Sequence, residues 1–257
     1  MNTEFINCDI KDFVALVTMD RPPVNAVNNQ FYDEIALVFD ILSDREDVRV
    51  AILTGAGKVF CGGYDLKEGA ELKPKPGDYW QTSRKAREAF HSIKECRVPV
   101  IGAVNGAALG AGLAIAGSCD ILIASEKASL GLPEVNVGLL GGSRHLMHLF
   151  PPSRARRMFF TGLRVDGAEL YRLGIAEACV PPEELMASAR SLAEEIADKS
   201  PMAIRLAKHS MNTIEFMSLR DGYRFEQNMT GELVKHEDSR EAMRAFVEKR
   251  PPVFKGR

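Results

Sequence analysis

Val98-Pro99-Val100-Ile101-Gly102-Ala103-Val104-Asn105-Gly106, running on to Ala108-Leu109-Gly110-Ala111-Gly112-Leu113-Ala114, sets the architecture of this chain. A Pro-led apolar run of strand length gives way to a glycine cluster that opens a short apolar helix. A bare glycine turn at a helix start aims backbone N–H groups outward, because the first turn has no intrahelical acceptors for them. Such donors, at the positive end of the helix dipole, can hold a carbonyl oxygen as it becomes negative. Further on, Leu132-Pro133-Glu134-Val135 supplies one isolated acid. A lone carboxylate beside those donors can move protons, so the pairing implies an enzyme that forms an enolate next to a carbonyl.

Outward from this stretch the hydrophobic period alternates between two and 3.6. Phe13 to Met19 reads as a strand closed by Asp20-Arg21-Pro22-Pro23, since prolines remove ladder donors. Phe31, Ile35, Val38 and Leu42 then recur at helical spacing behind the cap candidates Asn28 and Asn29. Val48 to Thr54 is the next strand, stopped by Gly55-Ala56-Gly57. A polar Lys/Glu/Gly/Pro stretch over 67–78 reads as a mobile loop, and a helix from Trp80 to Glu95 turns Phe90 and Ile93 inward. A second cycle runs from the Pro99 strand through the short helix ending at Gly117, a strand over Asp120–Ala124 and a turn region over Leu130–Gly142. Repeated strand-turn-helix units predict a stacked α/β core rather than a sandwich. After Pro151-Pro152 the spacing predicts helices over 154–161, 167–173, 182–199, 201–229 and 239–249.

Composition narrows the function classes. The 257 residues are 46% apolar and 26% charged, ordinary for a globular protein with a substantial core. A formal charge of −2 gives no electrostatic case for nucleic acid or an anionic membrane as partner. Cys8, Cys61, Cys96, Cys119 and Cys179 are scattered and lack CxxC spacing, which points to reduced thiols in a cytoplasm-like compartment. With no signal-like start and no apolar run of spanning length, a soluble, unprocessed, cytoplasmic protein is expected.

Familiar motifs fit poorly. Gly110-Ala111-Gly112 with Gly117 misses dinucleotide spacing, and Gly55-Ala56-Gly57-Lys58 lacks both the opening glycine and the following Ser or Thr of a phosphate loop. His145 and His148 form HxxH without a glutamate partner or a third ligand, so helix packing or a surface position is expected and no metal. Ser143 lacks a GxSxG frame.

Phe60-Cys61-Gly62-Gly63-Tyr64-Asp65-Leu66-Lys67, the Pro99 to Gly112 stretch, Cys119-Asp120 and Leu132-Pro133-Glu134, in this order and spacing, resemble the crotonase family, the enoyl-CoA hydratases and isomerases. The likeness extends from Arg21-Pro22 and Asn25-Ala26 to Phe246-Val247-Glu248-Lys249-Arg250. It implies an α/β fold built as a spiral of ββα units over 1–195, with a helical C-terminal trimerisation region over 196–257. It also implies a homotrimer or dimer of trimers and an acyl-CoA thioester substrate, CoA entering as part of the substrate rather than as a cofactor. By the same resemblance the backbone N–H groups of Tyr64 and Ala111 form an oxyanion hole; alanine in place of the family's glycine at 111 keeps the N–H. Val24, Ala26, Gly62, Gly63, Tyr64, Asp65, Leu66, Lys67, Gly110 and Gly112 are expected along the CoA path, with Phe246 and Lys249 approaching from the tail. Tyr79 and Trp80 are candidates to cover the acyl chain.

The acids direct the chemistry. Hydratases of the family carry two glutamates; here the first position is Ala114 and the second is Glu134. The segment Gly138-Leu139-Leu140-Gly141-Gly142 is also shorter than the family's usual turn. A single base suits removal of a proton from one carbon and its return to another, so double-bond isomerisation is placed ahead of hydration. The alternatives are a hydratase using Glu134 alone or with His91 or His145 as substitute base, a hydrolase or lyase acting on an aromatic or cyclic acyl-CoA, and a weakly catalytic acyl-CoA scaffold.

Overall fold

The computed structural model of the chain describes residues 3–67 and 75–256. Most of the loop expected at 67–78 therefore falls, at 68–74, outside the described residues.

Each turn of the spiral lays one long strand into a first sheet and one short strand into a second. After the hairpin of β1 (Ile6–Lys11) and β2 (Val14–Met19), helix α1 (Asn29–Asp44) leads to β3 (Val50–Gly55), β4 (Val59–Cys61) and α2 (Asp78–Glu95). The next turn is β5 (Val100–Val104), β6 (Ala107–Leu109) and α3 (Ala111–Ala116). The third is β7 (Ile121–Ser125), β8 (Ser129–Gly131), a 3₁₀ turn at Pro133–Val137, and helices α4 (Ser143–Leu149) and α5 (Pro152–Thr161). Then come β9 (Arg164–Asp166), α6 (Gly167–Arg172), β10 (Ala178–Val180) and α7 (Leu185–Ala197). The six-stranded sheet runs β1-β2-β3-β5-β7-β10 and the four-stranded sheet β4-β6-β8-β9. All pairings are parallel except β1 with β2 and β8 with β9.

The period-2 pattern explains the layers. In β3, Val50 and Ile52 face a cluster with Ile101, Ala103, Leu185, Ala189 and Ala193, which seats α7 on the outer face of the sheet. Ala51 and Leu53 face the main core with Phe31, Ile35, Val38, Phe39 and Leu42 of α1. The Asn28 side chain caps α1 by accepting from the Phe31 N–H. Glycine is required where one turn of the spiral crosses the next: a Cβ at Gly106 would lie 2.0 Å from the Lys58 carbonyl oxygen.

Two expectations change. The short strands β4, β6, β8 and β9, implied by the ββα resemblance but not read from the hydrophobic period, form a second sheet; three residues are too few to display a period. The single helix expected over 201–229 is two, α8 (Pro201–Ile214) and α9 (Leu219–Leu233), since the Ser218 side chain accepts from the Asp221 N–H and starts a new helix. Helix α10 (Glu237–Glu248) follows. The division at 195/196 falls in the last turn of α7, which packs on the sheet as far as Ala197.

Helix α8 is fastened to the core by a charge. Lys208 is 7% exposed, and its Nζ donates to Asp120 Oδ2 at 2.7 Å and to the Val98 carbonyl at 3.0 Å. The same Asp120 oxygen accepts from the Val100 N–H at 2.7 Å. Removing one partner of such a pair leaves the other charge uncompensated, so Lys208→Met is expected to lower the unfolding free energy by about 3 kcal/mol, read from the urea midpoint. Adding Asp120→Asn is expected to recover part of that loss. Beyond α8 the chain leaves Phe216, Leu219, Phe246 and Val247 between 73% and 92% exposed. Among the described residues no helix is long and apolar enough to cross a membrane.

Candidate active site

Two unpaired backbone amides and one carboxylate meet where β4 and β6 leave the second sheet. After β4, residues 62–65 run beside 24–27: the Gly62 N–H donates to the Val24 carbonyl, Val27 N–H to Gly63, and Asp65 N–H to Val27, at 2.8, 2.8 and 2.9 Å. Tyr64 pairs with Val27 as an isolated parallel bridge. The N–H of Tyr64 itself has no protein acceptor among the described residues. After β6, the Gly110 N–H donates to the Gly131 carbonyl at 3.0 Å, and a left-handed φ of +57° turns the chain into α3. Ala111 is the first residue of that helix, so its N–H lacks an intrahelical acceptor, and it finds no other among the described residues.

Close approach joins the two segments. A Cβ at Gly63 would lie 2.8 Å from the Leu109 carbonyl oxygen and 3.7 Å from the Ala111 nitrogen. One at Gly112 would lie 2.3 Å from the Cys61 carbonyl oxygen, so a bare backbone is what allows α3 to lie on β4. Glu134 arrives on the 3₁₀ turn after Pro133, and its Oε1 fills the place a Cβ would take at Gly110, 2.5 Å from it. Its Oε2 is buried and unpartnered among the described residues. Burial pushes the Glu134 carboxyl above its ordinary range, since no cation offsets the lost hydration. A carboxylate thus sits beside two amides whose N–H groups can donate to an oxygen that becomes negative.

The other expected residues divide. Val24, Tyr64 and Leu66 are 39%, 37% and 47% exposed, and Lys67 is also exposed, so all are open to a ligand. The Asp65 carboxylate is instead engaged by Arg21 Nη1 at 2.8 Å, and the same nitrogen donates to the Ala26 carbonyl at 2.7 Å. Ala114 is 1% exposed, and its methyl group offers no polar atom to water. His145 packs edge-on against Phe90 with ring centroids 5.1 Å apart, and burial lowers its pKa to about 4, leaving it neutral at physiological pH. His91 lines a shallow groove with Ala36, Asp40 and Arg97, and His148 pairs with Glu215 at 2.9 Å. None of these histidines makes a hydrogen bond or ion pair with Glu134 among the described residues. Phe246 is 85% exposed, and Lys249 caps α10 with φ +54°. Tyr79 and Trp80 stack edge-to-face at 5.4 Å and are 71% and 65% exposed.

Sequence reasoning missed the clamp of Arg21 and Asn25 behind Asp65, whose one local signal is an asparagine inside a proline turn. It also missed that Gly110 is the seat of the Glu134 carboxylate.

A family model described as "Enoyl-CoA hydratase/isomerase" matches residues 9–257. Among similar proteins is the "(7aS)-7a-methyl-1,5-dioxo-2,3,5,6,7,7a-hexahydro-1H-indene-carboxyl-CoA hydrolase" of Mycobacterium tuberculosis, 37% identical over 92% of this chain and 95% of that protein. Another is the carnitinyl-CoA dehydratase of Proteus mirabilis, 35% identical over 95% of each. The solved structure of an enoyl-CoA hydratase from Bacillus anthracis superposes with a TM-score of 0.94 at 32% identity, over 99% of this chain and 100% of that one.

Proposed function

The chain belongs to the enoyl-CoA hydratase/isomerase family, and from that premise we propose that it moves a proton on an acyl-CoA, shifting a double bond through a thioester enolate. The N–H groups of Tyr64 and Ala111 hold the thioester oxygen as it gains charge. Glu134 takes a proton from one carbon and returns it to another two bonds away. Val24, Ala26, Gly62, Gly63, Leu66, Lys67, Gly110 and Gly112 border the path of the CoA moiety. The exposed apolar residues of the C-terminal helices support assembly as a trimer or dimer of trimers, in which Phe246 and Lys249 can approach a neighbour's substrate.

One observation carries this reading: a half-buried carboxylate, its Oε2 buried and unpartnered among the described residues, beside two free amides, with a buried alanine where a second acid would stand. Water addition needs a place for water with two or more polar partners, and the side chain of Ala114 offers none. Incubation with a 3-enoyl-CoA in D₂O is the test. Conjugated 2-enoyl-CoA, with deuterium at C4 only to the extent that the Glu134 carboxyl exchanges with solvent before returning the proton, and with no 3-hydroxyacyl product, is the expected result. A 3-hydroxyacyl-CoA as the main product from 2-enoyl-CoA overturns it.

A second reading is favoured by the hydrolase activity for which the Mycobacterium tuberculosis relative is named: hydrolysis of a cyclic acyl-CoA, in which the same amides stabilise the oxyanion and Glu134 activates water. Turnover of a bicyclic diketo carboxyl-CoA, with the 3-enoyl substrate left untouched, identifies that chemistry.

A further inference from the structure

We propose that Arg21, Asn25 and Asp65 form a positioning device that aims the Tyr64 amide. The proposal rests on the reading of that amide as an oxyanion donor. The Tyr64 N–H and the Gly63 C=O belong to one planar trans peptide and point in opposite directions. Whatever holds the Gly63 carbonyl therefore directs the Tyr64 N–H. The holder is the Val27 N–H, at 2.8 Å, and Asp65 N–H to the Val27 carbonyl at 2.9 Å closes the bridge on the other side.

Val27 is a precise anchor only if the turn before it is rigid, and Asn25 supplies that rigidity. It is 2% exposed and left-handed at φ +53°, a conformation asparagine tolerates better than most residues. Its side-chain oxygen accepts from the Arg21 N–H at 3.0 Å, while its own N–H donates to the Arg21 carbonyl at 2.8 Å. Its Nδ2 faces the carbonyls of Ala56, Val59 and Phe60 at 3.1, 2.8 and 3.3 Å, which ties the turn to the connection from β3 into β4. An amide is suited to this place because it accepts on one atom and donates twice from the other.

Arg21 joins the two strands of the bridge through charge. Its Nη1 holds the Ala26 carbonyl at 2.7 Å on one strand and Asp65 Oδ2 at 2.8 Å on the other. Asp65 Oδ1 in turn accepts from the Lys67 N–H at 3.1 Å. Both sides of the Tyr64 peptide are thus braced by groups that do not touch substrate. The side chain of Asp65, placed on the CoA path by the sequence, is assigned to this brace.

A loosened donor weakens the transition state more than the ground state, because the oxygen is charged only in the former. Arg21→Met is therefore expected to lower kcat on the order of 10-fold to 100-fold with KM nearly unchanged, and Arg21→Lys to recover most of it. Asp65→Asn, which keeps the shape, is expected to fall between them. The second readout is the infrared carbonyl stretch of bound [1-¹³C]butyryl-CoA, which hydrogen bonding shifts to lower frequency. The wild type is expected to give a clear downshift and Arg21→Met a smaller one. A rise in KM with kcat intact in Arg21→Met and Asp65→Asn overturns the proposal in favour of a CoA contact. A kcat loss that follows only the folded fraction, with the carbonyl frequency unchanged, overturns it in favour of a purely structural role. Absence of any downshift in the wild type is the separate failure of the oxyanion reading, and removes the proposal with it.

Discussion

Glu134→Gln is expected to lower kcat by about 10²–10⁴-fold while leaving acyl-CoA binding close to the wild-type value. Glutamine keeps the length and shape of the side chain against Gly110, so the pocket is preserved and only the proton acceptor is lost. Single-turnover loss of the α-proton from a deuterated acyl-CoA, with binding followed separately by calorimetry, measures both quantities. Retention of more than about a tenth of the wild-type rate sinks the role of Glu134, since a general base normally contributes far more than that.

Burial gives this substitution a second, opposite signature. The folded-state pKa of Glu134 is raised, so the fold favours its protonated form. The stability tied to that preference is full below the unfolded-state pKa and is lost as pH rises through the folded-state value. Above that value the wild type carries a poorly solvated negative charge with its Oε2 unpartnered among the described residues, where the variant carries a neutral amide. Glu134→Gln is accordingly expected to be at least as stable as the wild type near pH 8, the difference closing as the pH falls into the acid range. Activity runs the other way, because the base must be ionised. The acidic limb of the wild-type rate profile is expected above the usual carboxylate range.

Ala111→Pro is expected to lower kcat/KM by about 10²–10³-fold or more, because proline has no N–H and its ring carbon occupies the direction in which the amide pointed. The first position of a helix is where proline is best tolerated, so α3 is expected to persist. Gly110 precedes it at φ +57° and ψ −118°, the mirror image of the extended conformation that a residue before proline prefers, and glycine is free to adopt it. Far-UV circular dichroism close to that of the wild type, with activity gone, is the expected pair of results. Ala111→Gly, which retains the donor, is the matched control and is expected to stay within a few-fold of wild type. Comparable activity in the proline variant removes Ala111 from the oxyanion hole.

The spacing of Phe31, Ile35, Val38 and Leu42 was enough to place α1, because a long amphipathic face repeats its signal several times. The stretch from Val100 to Ala116 was legible for a different reason: a fully buried strand, a left-handed glycine and a capless helix start each impose a strict local requirement. Ser218, by contrast, went unread as a helix start, since a serine followed three residues on by an aspartate is common on helix surfaces. The strands of the second sheet were hidden by their length, and each exists because its neighbour one turn of the spiral away completes its ladder. The Arg21–Asp65 pair was not legible in the sequence, because the two partners lie 44 residues apart and no local pattern links them.

The Tyr64 amide was expected only from the family resemblance; by itself the sequence determined the order of the long strands and the main helices, and the glycine turn at whose helix start the Ala111 amide is left without an acceptor. Those features follow from hydrophobic period, missing Cβ atoms and the geometry of a helix start, all of which act over a few residues. Only the tertiary structure decided that Glu134 rests on Gly110, that Ala114 is closed off, and that Arg21 takes the Asp65 carboxylate. Which partner a polar group meets, and how much water it keeps, depends on how distant segments pack, and those two quantities fix the chemistry of an acid.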